Sequence, residues 1–470
     1  MSRKFITIAL LLLAIISSRA QTTQKQSFSL KQAQEFAIKN NLTIKNSRLD
    51  VEISKNKMRE YTAIGLPQVQ AGASYQHFFA IPTSLIPDFL TKAIVGTNIN
   101  LGLVSPTNPV VQQMLNEASG MFEVQFGTSD NASWNISASQ LIFSGQYLVG
   151  LQAFKELKTL SSQVNVKNEK DLISNVSQSY YLVLFMKENK TVIDESVKTI
   201  SQTVTDMKEL VKSGFAEQIS LDQLQLTLSN LENASNSLTR GIEISNNLMK
   251  MQLGLTVDQD IELTDKLEDL FNSVNAASFL TQKFVPENNI AFKILNTSEK
   301  LAVLNMKKET MSFLPSLNAV YSYQRSAMRS KFDFFDGSQK WFPTQLIGIN
   351  LSLPIFSSGM RVARYKQFKL DLEKTRNSKK LATEGLELEY QQARTEYSNA
   401  LEKYISEKDN KVLAQKIYDN TLVKFKNGMA TSMELTQAQT QMINSDGNYF
   451  KAIYDFLVAK NNLDKSLSNF

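Results

Sequence analysis

Four windows of the chain alternate between apolar and polar residues, which is the pattern of β-strands with two unlike faces. They cover residues 68–79, 133–143, 316–324 and 345–355. None of the four contains Asp, Glu, Lys or Arg, and aromatic residues flank them. A length of about 9–12 residues without charge favours strands that cross an outer membrane, with the apolar face toward lipid. The strands of a soluble sandwich are the alternative.

Two long segments favour helices. Residues 151–213 contain neither proline nor glycine, and residues 361–427 contain no proline and only one glycine, Gly385. Because proline interrupts helices, each segment is able to form a rod of about 95–100 Å. Apolar residues spaced three and four apart run through the first segment and the one after it: Ile193, Val197, Ile200, Val204, Met207, Val211, Leu221, Leu224, Leu228 and Leu231. This spacing predicts an antiparallel hairpin of supercoiled helices.

The whole pattern occurs twice. A shift of 214 positions places Gly214 on Gly428 and Leu221 on Leu435. A Leu-Pro pair opens each strand region, and a segment ending in Phe, Ser and Gly closes it: Leu66-Pro67 and Leu314-Pro315, then 141–145 and 353–359. Two copies of this length indicate a duplicated fold and not a solenoid of short repeats.

The duplication predicts two structural repeats joined by a linker. The first repeat covers residues 21–254, with a helix over 28–64, a β-hairpin over 67–143 that carries a long loop over 80–130, and a helical hairpin over 148–254. The linker covers residues 255–285. The second repeat covers residues 286–470, with a helix over 286–312, a β-hairpin over 315–356 and a helical hairpin over 359–467.

Residues 1–20 have the three parts of a secretory signal peptide. A basic start at Arg3 and Lys4 precedes an apolar run, and Ser18-Arg19-Ala20 offers a cleavage site. Removal of its three basic residues, the third being Arg19, lowers the net charge from +6 to +3. A charge this small argues against nucleic acid as a partner.

The sequence contains no cysteine and one histidine, His77, which lies in a strand window. A cluster of histidine and cysteine ligands for a metal is therefore excluded within one chain, as are a disulfide framework and a thiol nucleophile. No phosphate-binding loop of the G-x-x-x-x-G-K-[ST] type occurs. We therefore expect no enzyme, no cofactor and no metal site.

In each half the order of elements is helix, Leu-Pro, β-hairpin, Phe-Ser-Gly, long helix, glycine-marked tip and return helix. This order resembles that of the TolC family of outer membrane efflux proteins over essentially the whole mature chain. The resemblance implies a mostly α fold with β structure, namely a duplicated TolC-like fold. It also implies a homotrimer with a 12-stranded outer membrane β-barrel continuous with a long periplasmic α-helical barrel.

The resemblance also implies a gate and a docking surface at the helical tips. In the family, acidic residues at the periplasmic aperture form a ring, and the matching positions here are Ser220 and Glu434, with Asp222 nearby and Gln437 at a further family position. The tips that meet a periplasmic adaptor protein correspond to Gly214, Phe215, Gly428, Met429, Ala430 and Thr431.

Two classes of function are compatible with the pattern. The first is a passive outer membrane exit duct that works with a periplasmic adaptor and an inner-membrane pump. An outer membrane duct for type I protein secretion is a variant of it. A periplasmic coiled-coil scaffold or adhesin without channel activity is an alternative of a different class.

Overall fold

The structure is a computed structural model that describes residues 26–117, 121–274 and 282–469. The predicted signal peptide lies outside the described residues. The predicted fold class, mostly α with β, is confirmed. No helix in the described ranges is both long and apolar enough to cross a membrane.

Ten α-helices form in the described residues. In chain order they are α1 (Leu30–Asn40), α2 (Leu42–Ala63), α3 (Phe89–Asn100), α4 (Pro109–Glu117), α5 (Gly145–Lys212), α6 (Gln218–Leu253), α7 (Leu267–Asn272), α8 (Ile290–Met311), α9 (Met360–Lys426) and α10 (Ser432–Leu467). The longest, α5 and α9, have 68 and 67 residues. At 1.5 Å per residue each is about 100 Å long.

Eight strands accompany them. They are β1 (Gln26–Phe28), β2 (Gln68–His77), β3 (Thr83–Pro87), β4 (Met121–Gln125), β5 (Asp130–Ser144), β6 (Ile261–Leu263), β7 (Ser316–Arg329) and β8 (Phe342–Ser352). The strands β2, β5, β7 and β8 coincide with most of the four windows that alternate between apolar and polar residues.

The chain divides into two compact units, and each draws on both repeats. Among the described residues, the helical unit comprises 26–58, 152–274, 282–306 and 365–469, and the sheet unit comprises 59–117, 121–151 and 307–364. The helical unit has a core of buried aromatic and aliphatic side chains, with Tyr180, Tyr397 and Phe456 fully buried.

A short parallel pair in the helical unit joins the start of the described chain to the segment between the repeats. Strand β1 pairs with β6, so that Gln26 lies opposite Ile261. Next to it, Asp265 accepts a hydrogen bond from the backbone N–H of Leu30 (2.7 Å). The hydroxyl of Tyr180 lies 3.0 Å from the same carboxylate. This network fixes the beginning of α1.

The sheet unit contains a four-stranded sheet in the order β2-β5-β7-β8, with antiparallel neighbours. One row across it is apolar: Val69, Ala138, Tyr321 and Ile347. Another row is small or polar: Gly72, Asn135, Gln324 and Thr344. The rows lie on opposite faces because side chains alternate along a strand. The sheet therefore has an apolar and a polar face, and β2 and β8 are its two edges.

The charged residues of these four strands lie at the end of the sheet where β2 ends and β5 begins. Strands β5 and β7 extend beyond the uncharged windows to include Asp130, Arg325 and Arg329. Asp130 accepts a hydrogen bond from the hydroxyl of Tyr75 (2.7 Å), and Nδ1 of His77 lies 2.8 Å from it. The single histidine thus has a partner within the sheet.

The predicted single helix over residues 28–64 is wrong. Phe28 belongs to β1, and Asn41 separates α1 from α2. The Asn41 side chain accepts a hydrogen bond from the backbone N–H of Thr43 (2.8 Å) and donates one to the carbonyl oxygen of Gln252 (2.8 Å). This side chain caps the start of α2, and the chain turns there instead of continuing as one helix.

Two segments that were predicted without internal structure contain ordered elements. The loop over 80–130 holds the hairpin of β3 and β4 with α3 and α4 between its strands. The linker over 255–285 holds β6 and α7. The second repeat begins with a 3-10 turn at Pro286–Asn288, and α8 follows it.

Candidate functional site

The two helical tips, residues 213–217 and 427–431, have the same backbone. Helix α5 ends at Lys212 and α6 begins at Gln218, while α9 ends at Lys426 and α10 begins at Ser432. All four positions correspond at the shift of 214 residues. Each tip contains a glycine in the left-handed region, with φ of 78° at Gly214 and 70° at Gly428. Glycine reaches this region without the steric cost that a side chain would bring.

Backbone hydrogen bonds close both tips in the same way. In the first, the N–H of Gly214 donates to the carbonyl oxygen of Val211 (3.0 Å), and that of Phe215 donates to Leu210 (2.9 Å). In the second, Gly428 donates to Phe425 (2.9 Å) and Met429 to Lys424 (2.8 Å). These paired bonds form the Schellman motif that ends a helix. The turn geometry is therefore carried by the main chain and one glycine.

The tips expose apolar side chains. Phe215 is 83% exposed and Met429 is 69% exposed. A Cβ atom added at either tip glycine would meet no atom within 4 Å. Ala430 is half-buried and Thr431 is exposed. The surface of each tip is thus open in the single chain and includes one strongly exposed apolar side chain.

The tips differ in how their second helix begins. Thr431 and Glu434 form a capping box at the start of α10, in which the backbone N–H of Thr431 donates to the Glu434 carboxylate (2.7 Å) and that of Glu434 donates to the Thr431 hydroxyl (3.2 Å). At the start of α6, Glu217 occupies the cap position and makes no side-chain cap hydrogen bond. Ser220 stands where Glu434 stands in the other copy.

The pKa of Glu434 lies below its ordinary value. The first cause is the hydrogen bond from the backbone N–H of Thr431, and the second is the bond from the Thr431 hydroxyl. Both bonds stabilise the ionised carboxylate. Glu434 is therefore charged at neutral pH, and its carboxylate binds the first turn of its own helix.

The four predicted aperture residues lie in the first turns of α6 and α10. Ser220 is half-buried, and Asp222, Glu434 and Gln437 are exposed. Asp222 accepts a hydrogen bond from the side-chain amide of Gln218 (2.7 Å). The proposed ring would require several chains, so its formation stays a prediction.

A hydrogen bond that the sequence did not predict joins the two helix starts. The Ser432 hydroxyl donates to the side-chain carbonyl oxygen of Gln223 at 2.7 Å, and Ser432 is buried. The two residues occupy different positions in their repeats, so the duplication does not relate them. The bond brings the first turns of α6 and α10 together.

A shared apolar core lies behind the tips. Leu221, Leu224 and Leu435 are at most 6% exposed and belong to one cluster with Ile200 and Met207. All four long helices contribute to this cluster, because Tyr418 of α9 also packs in it. The tips are thus the ends of one packed bundle of helices.

Part of the second half of the chain matches a known family by sequence. Residues 300–469 match the family model described as outer membrane efflux protein. A search of curated proteins found no match to the chain.

Solved outer membrane channels share the fold. The open state of the MtrE outer membrane channel of Neisseria gonorrhoeae aligns with a TM-score of 0.71 and 14% identity, over 93% of this chain and 88% of that one. The CmeC outer membrane channel of Campylobacter jejuni aligns with a TM-score of 0.69 and 15% identity, over 93% and 85%. The outer membrane protein VceC of Vibrio cholerae aligns with a TM-score of 0.69 and 12% identity, over 93% and 95%.

These findings bear on the resemblance that the order and duplication of the elements suggested. The family match covers residues 300–469, which is most of the second repeat, and the shared fold covers more than nine-tenths of the chain. Residues 300–469 are similar to outer membrane efflux proteins by sequence, and the resemblance of the chain to the TolC family of outer membrane efflux proteins is confirmed.

Proposed function

We propose that the chain is one subunit of a homotrimeric outer membrane channel, which acts as the passive exit duct of a tripartite efflux system. The observation that carries this proposal is the four-stranded sheet, with its apolar face, its polar face and its two edge strands. It is supported by the fold shared with outer membrane channels.

The edges of the sheet argue for more than one copy. Strands β2 and β8 each pair on one side only, and nearly every residue of both is exposed. Unpaired backbone groups are not tolerated in lipid, so a membrane sheet has to close on itself. Four strands are too few to close, whereas three copies supply twelve, enough to surround an aqueous lumen.

The two faces assign the inside and the outside of this barrel. The row through Val69, Tyr321 and Ile347 would face outer membrane lipid. The row through Asn135, Gln324 and Thr344 would line the lumen. An apolar exterior and a polar interior are what a transmembrane β-barrel requires.

The helical unit supplies the periplasmic part of the proposal. The helices α5, α6, α9 and α10 of three copies would form a helical barrel in the periplasm. Its tips would dock a periplasmic adaptor through the exposed side chains of Phe215 and Met429, beside Gly214, Gly428, Ala430 and Thr431. The adaptor would connect the duct to an inner-membrane pump, which supplies the energy. We infer no catalytic role for the chain.

Charge at the tips would set ion selectivity. Three copies of Glu434 around one aperture would place three carboxylates there, with Ser220, Asp222 and Gln437 beside them. Rings of carboxylates favour cations in channels. Glu434 is also half of a capping box, so a test has to separate its charge from its capping.

The experiment is single-channel recording of the purified protein in planar bilayers, beside Glu434→Gln. Glutamine can keep the capping box but removes the charge. We expect a cation-selective conductance in the wild type and a loss of cation selectivity in Glu434→Gln. The control is Glu217→Gln, which removes an acid at the other tip that makes no cap bond.

Two results would contradict the proposal at different levels. Unchanged ion selectivity in Glu434→Gln would contradict the aperture ring but not the channel itself. A protein that stays monomeric, needs no detergent and never conducts would contradict the duct itself and favour the coiled-coil scaffold.

A further inference from the structure

The segment between β2 and β5, residues 79–128, is an inserted module, which we call the insertion. It contains β3, α3, α4 and β4, and the structure describes it except for residues 118–120. The N–H of Phe78 donates to the carbonyl oxygen of Ser129 (2.7 Å), next to the paired residues His77 and Asp130. The hairpin of β2 and β5 is therefore already closed where the insertion leaves it.

The insertion is almost without charge. It contains four charged residues, Asp88, Lys92, Glu117 and Glu123, whereas the chain as a whole is 20% charged. Only two of its described apolar side chains, Val95 in α3 and Val111 in α4, are buried. Such a small interior cannot account for the apolar content of the module.

The remaining apolar side chains cover its surface. Five large apolar side chains on α3 and the residues after it are 49–69% exposed: Phe89, Leu90, Ile94, Leu101 and Leu103. We call these five residues the α3 surface. Large apolar side chains this exposed on one short segment of a folded module usually mark a contact with another molecule.

The residues near the two ends of the insertion lie over the polar face of the sheet. Ile81, Pro82 and Phe126 line one side of a cleft of about 380 Å³. Its other side includes Ser74, Asn131, Ser133, Gln324 and Ser326, which belong to the polar face. The insertion thus begins on the side of the sheet that the proposed barrel turns toward its lumen.

We propose that the insertions of neighbouring copies of this chain pack against one another through the α3 surface and form a cap over the outer mouth of the channel. This inference rests on the proposed function, because it needs the polar faces of several copies to surround one axis. The insertion leaves the sheet at the end opposite to α2 and α5, so it would lie outside when those helices are periplasmic.

A second copy fits this surface better than lipid does. Each insertion starts on the polar face, so a ring of copies brings all of them toward the common axis. Lipid would contact the opposite, apolar face of the sheet. With one cation in its fifty residues, Lys92, the insertion also lacks the basic cluster that anionic headgroups attract. When the α3 surfaces of neighbouring copies meet at the axis, their apolar side chains are removed from water, and this burial of apolar area stabilises the contact.

Disulfide trapping tests the contact directly. The chain contains no cysteine, so one introduced thiol has no competitor. We expect Ile94→Cys, and separately Leu101→Cys, to form covalent dimers when the assembled protein in membranes is oxidised. The control is Gly337→Cys in the loop between β7 and β8, where an added Cβ meets no atom within 4 Å. It should stay monomeric on a denaturing gel.

Excision provides a second readout. Joining Phe78 to Ser129 through a two-residue turn removes the insertion and retains the last hydrogen bond of the hairpin. We expect this variant to have a larger single-channel conductance than the wild type. We also expect oxidation to lower the conductance of Ile94→Cys and a reductant to restore it.

The outcomes separate this inference from the proposed function. An assembled, conducting trimer in which neither Ile94→Cys nor Leu101→Cys forms a dimer would overturn the cap and leave the duct intact. Excision without any change in conductance would overturn it as well, and would point to an external partner. A wild type that does not assemble would refute the proposed function first.

Discussion

At the residue scale, the two helical tips have the same turn geometry but different side chains around it. Gly214 and Gly428 have nearly the same φ and the same pair of backbone hydrogen bonds. Because those bonds use no side chain, the positions around them are free to differ. Glu217 and Ser220 of the first copy have accordingly been replaced by Thr431 and Glu434 in the second.

Two glycines with the same φ should differ in their tolerance of alanine. Gly214 and Gly254 have φ of 78° and 77°. In both, alanine costs about 1–2 kcal/mol of backbone strain. At Gly254 the new Cβ would also lie 2.7 Å from the carbonyl oxygen of Asn40, whereas at Gly214 it would meet nothing within 4 Å. We expect Gly254→Ala to lower the thermal midpoint clearly more than Gly214→Ala, measured by circular dichroism in detergent. Equal shifts would contradict this packing.

The capping box predicts a dependence of stability on pH. The pKa of Glu434 is lowered in the folded chain, so its ionised form is favoured there. Its contribution to the free energy of unfolding is therefore present at neutral pH and is lost as pH falls from about 4.3, the ordinary value for glutamate, through the lowered pKa. We expect the difference in thermal midpoint between the wild type and Glu434→Ala to shrink over that range.

The matched control is Glu217→Ala, at the other cap, where no side-chain cap bond forms. If the two variants followed the same course with pH, the effect would be one of overall charge and not of the capping box. The test is a pair of melting series at neutral and acid pH.

The sequence around Glu434 contains a second signal, which the assignment of this residue to an aperture ring did not use. Thr431 followed three residues later by Glu434 is the pattern of a capping box. The bond between Ser432 and Gln223 had no such signal, because the partners are 209 positions apart and occupy unmatched places in the repeats. The local hydrogen bonds of the capping box could thus be predicted from the sequence, whereas the contact between the two repeats could not.

At the scale of elements, the long helices follow from the absence of proline. Helix α5 covers the segment that lacks proline and glycine and begins at Gly145, six residues before it. The break at Asn41 was missed because asparagine in a helical pattern is a weak signal, and its role depends on the carbonyl oxygen of Gln252, far along the chain. The elements inside the insertion were missed because α3 has almost no helical period and β3 and β4 have only five residues each.

The heptad seam of α6 predicts which leucines hold the hairpin together. Leu224 is fully buried in the cluster behind the tips, and Leu226 on the same helix is 64% exposed. We expect Leu224→Ala to cost about 2–5 kcal/mol of stability because it leaves a cavity. Leu226→Ala should change stability by about 0.5 kcal/mol or less.

Chemical denaturation of both variants in detergent checks this pair. An effect of Leu224→Ala no larger than that of Leu226→Ala would refute the packing of the hairpin. A large effect of Leu226→Ala alone would show that another chain covers this face in the assembly.

At the scale of the whole molecule, the residue pattern alone does not show the partition into two units, and only the family resemblance implied a β part and a helical part. The duplication predicts two repeats one after the other, yet each compact unit takes segments from both. The reason is the pairing of β5 with β7, which joins the hairpin of one repeat to that of the other. Alternating residues identify a strand and its faces, but they do not identify the neighbour of each strand.

That pairing also fixes an order of assembly. Strand β5 has no second neighbour until β7 is available, after the whole first helical hairpin and the segment that contains β6. A hairpin of β2 and β5 alone is marginal in water, and contacts distant in sequence form slowly. The strands of the first repeat therefore stay exposed until the strands of the second repeat are available to pair with them. A chaperone that holds them would matter most in this interval, and truncation before residue 316 should leave a chain that cannot complete its sheet.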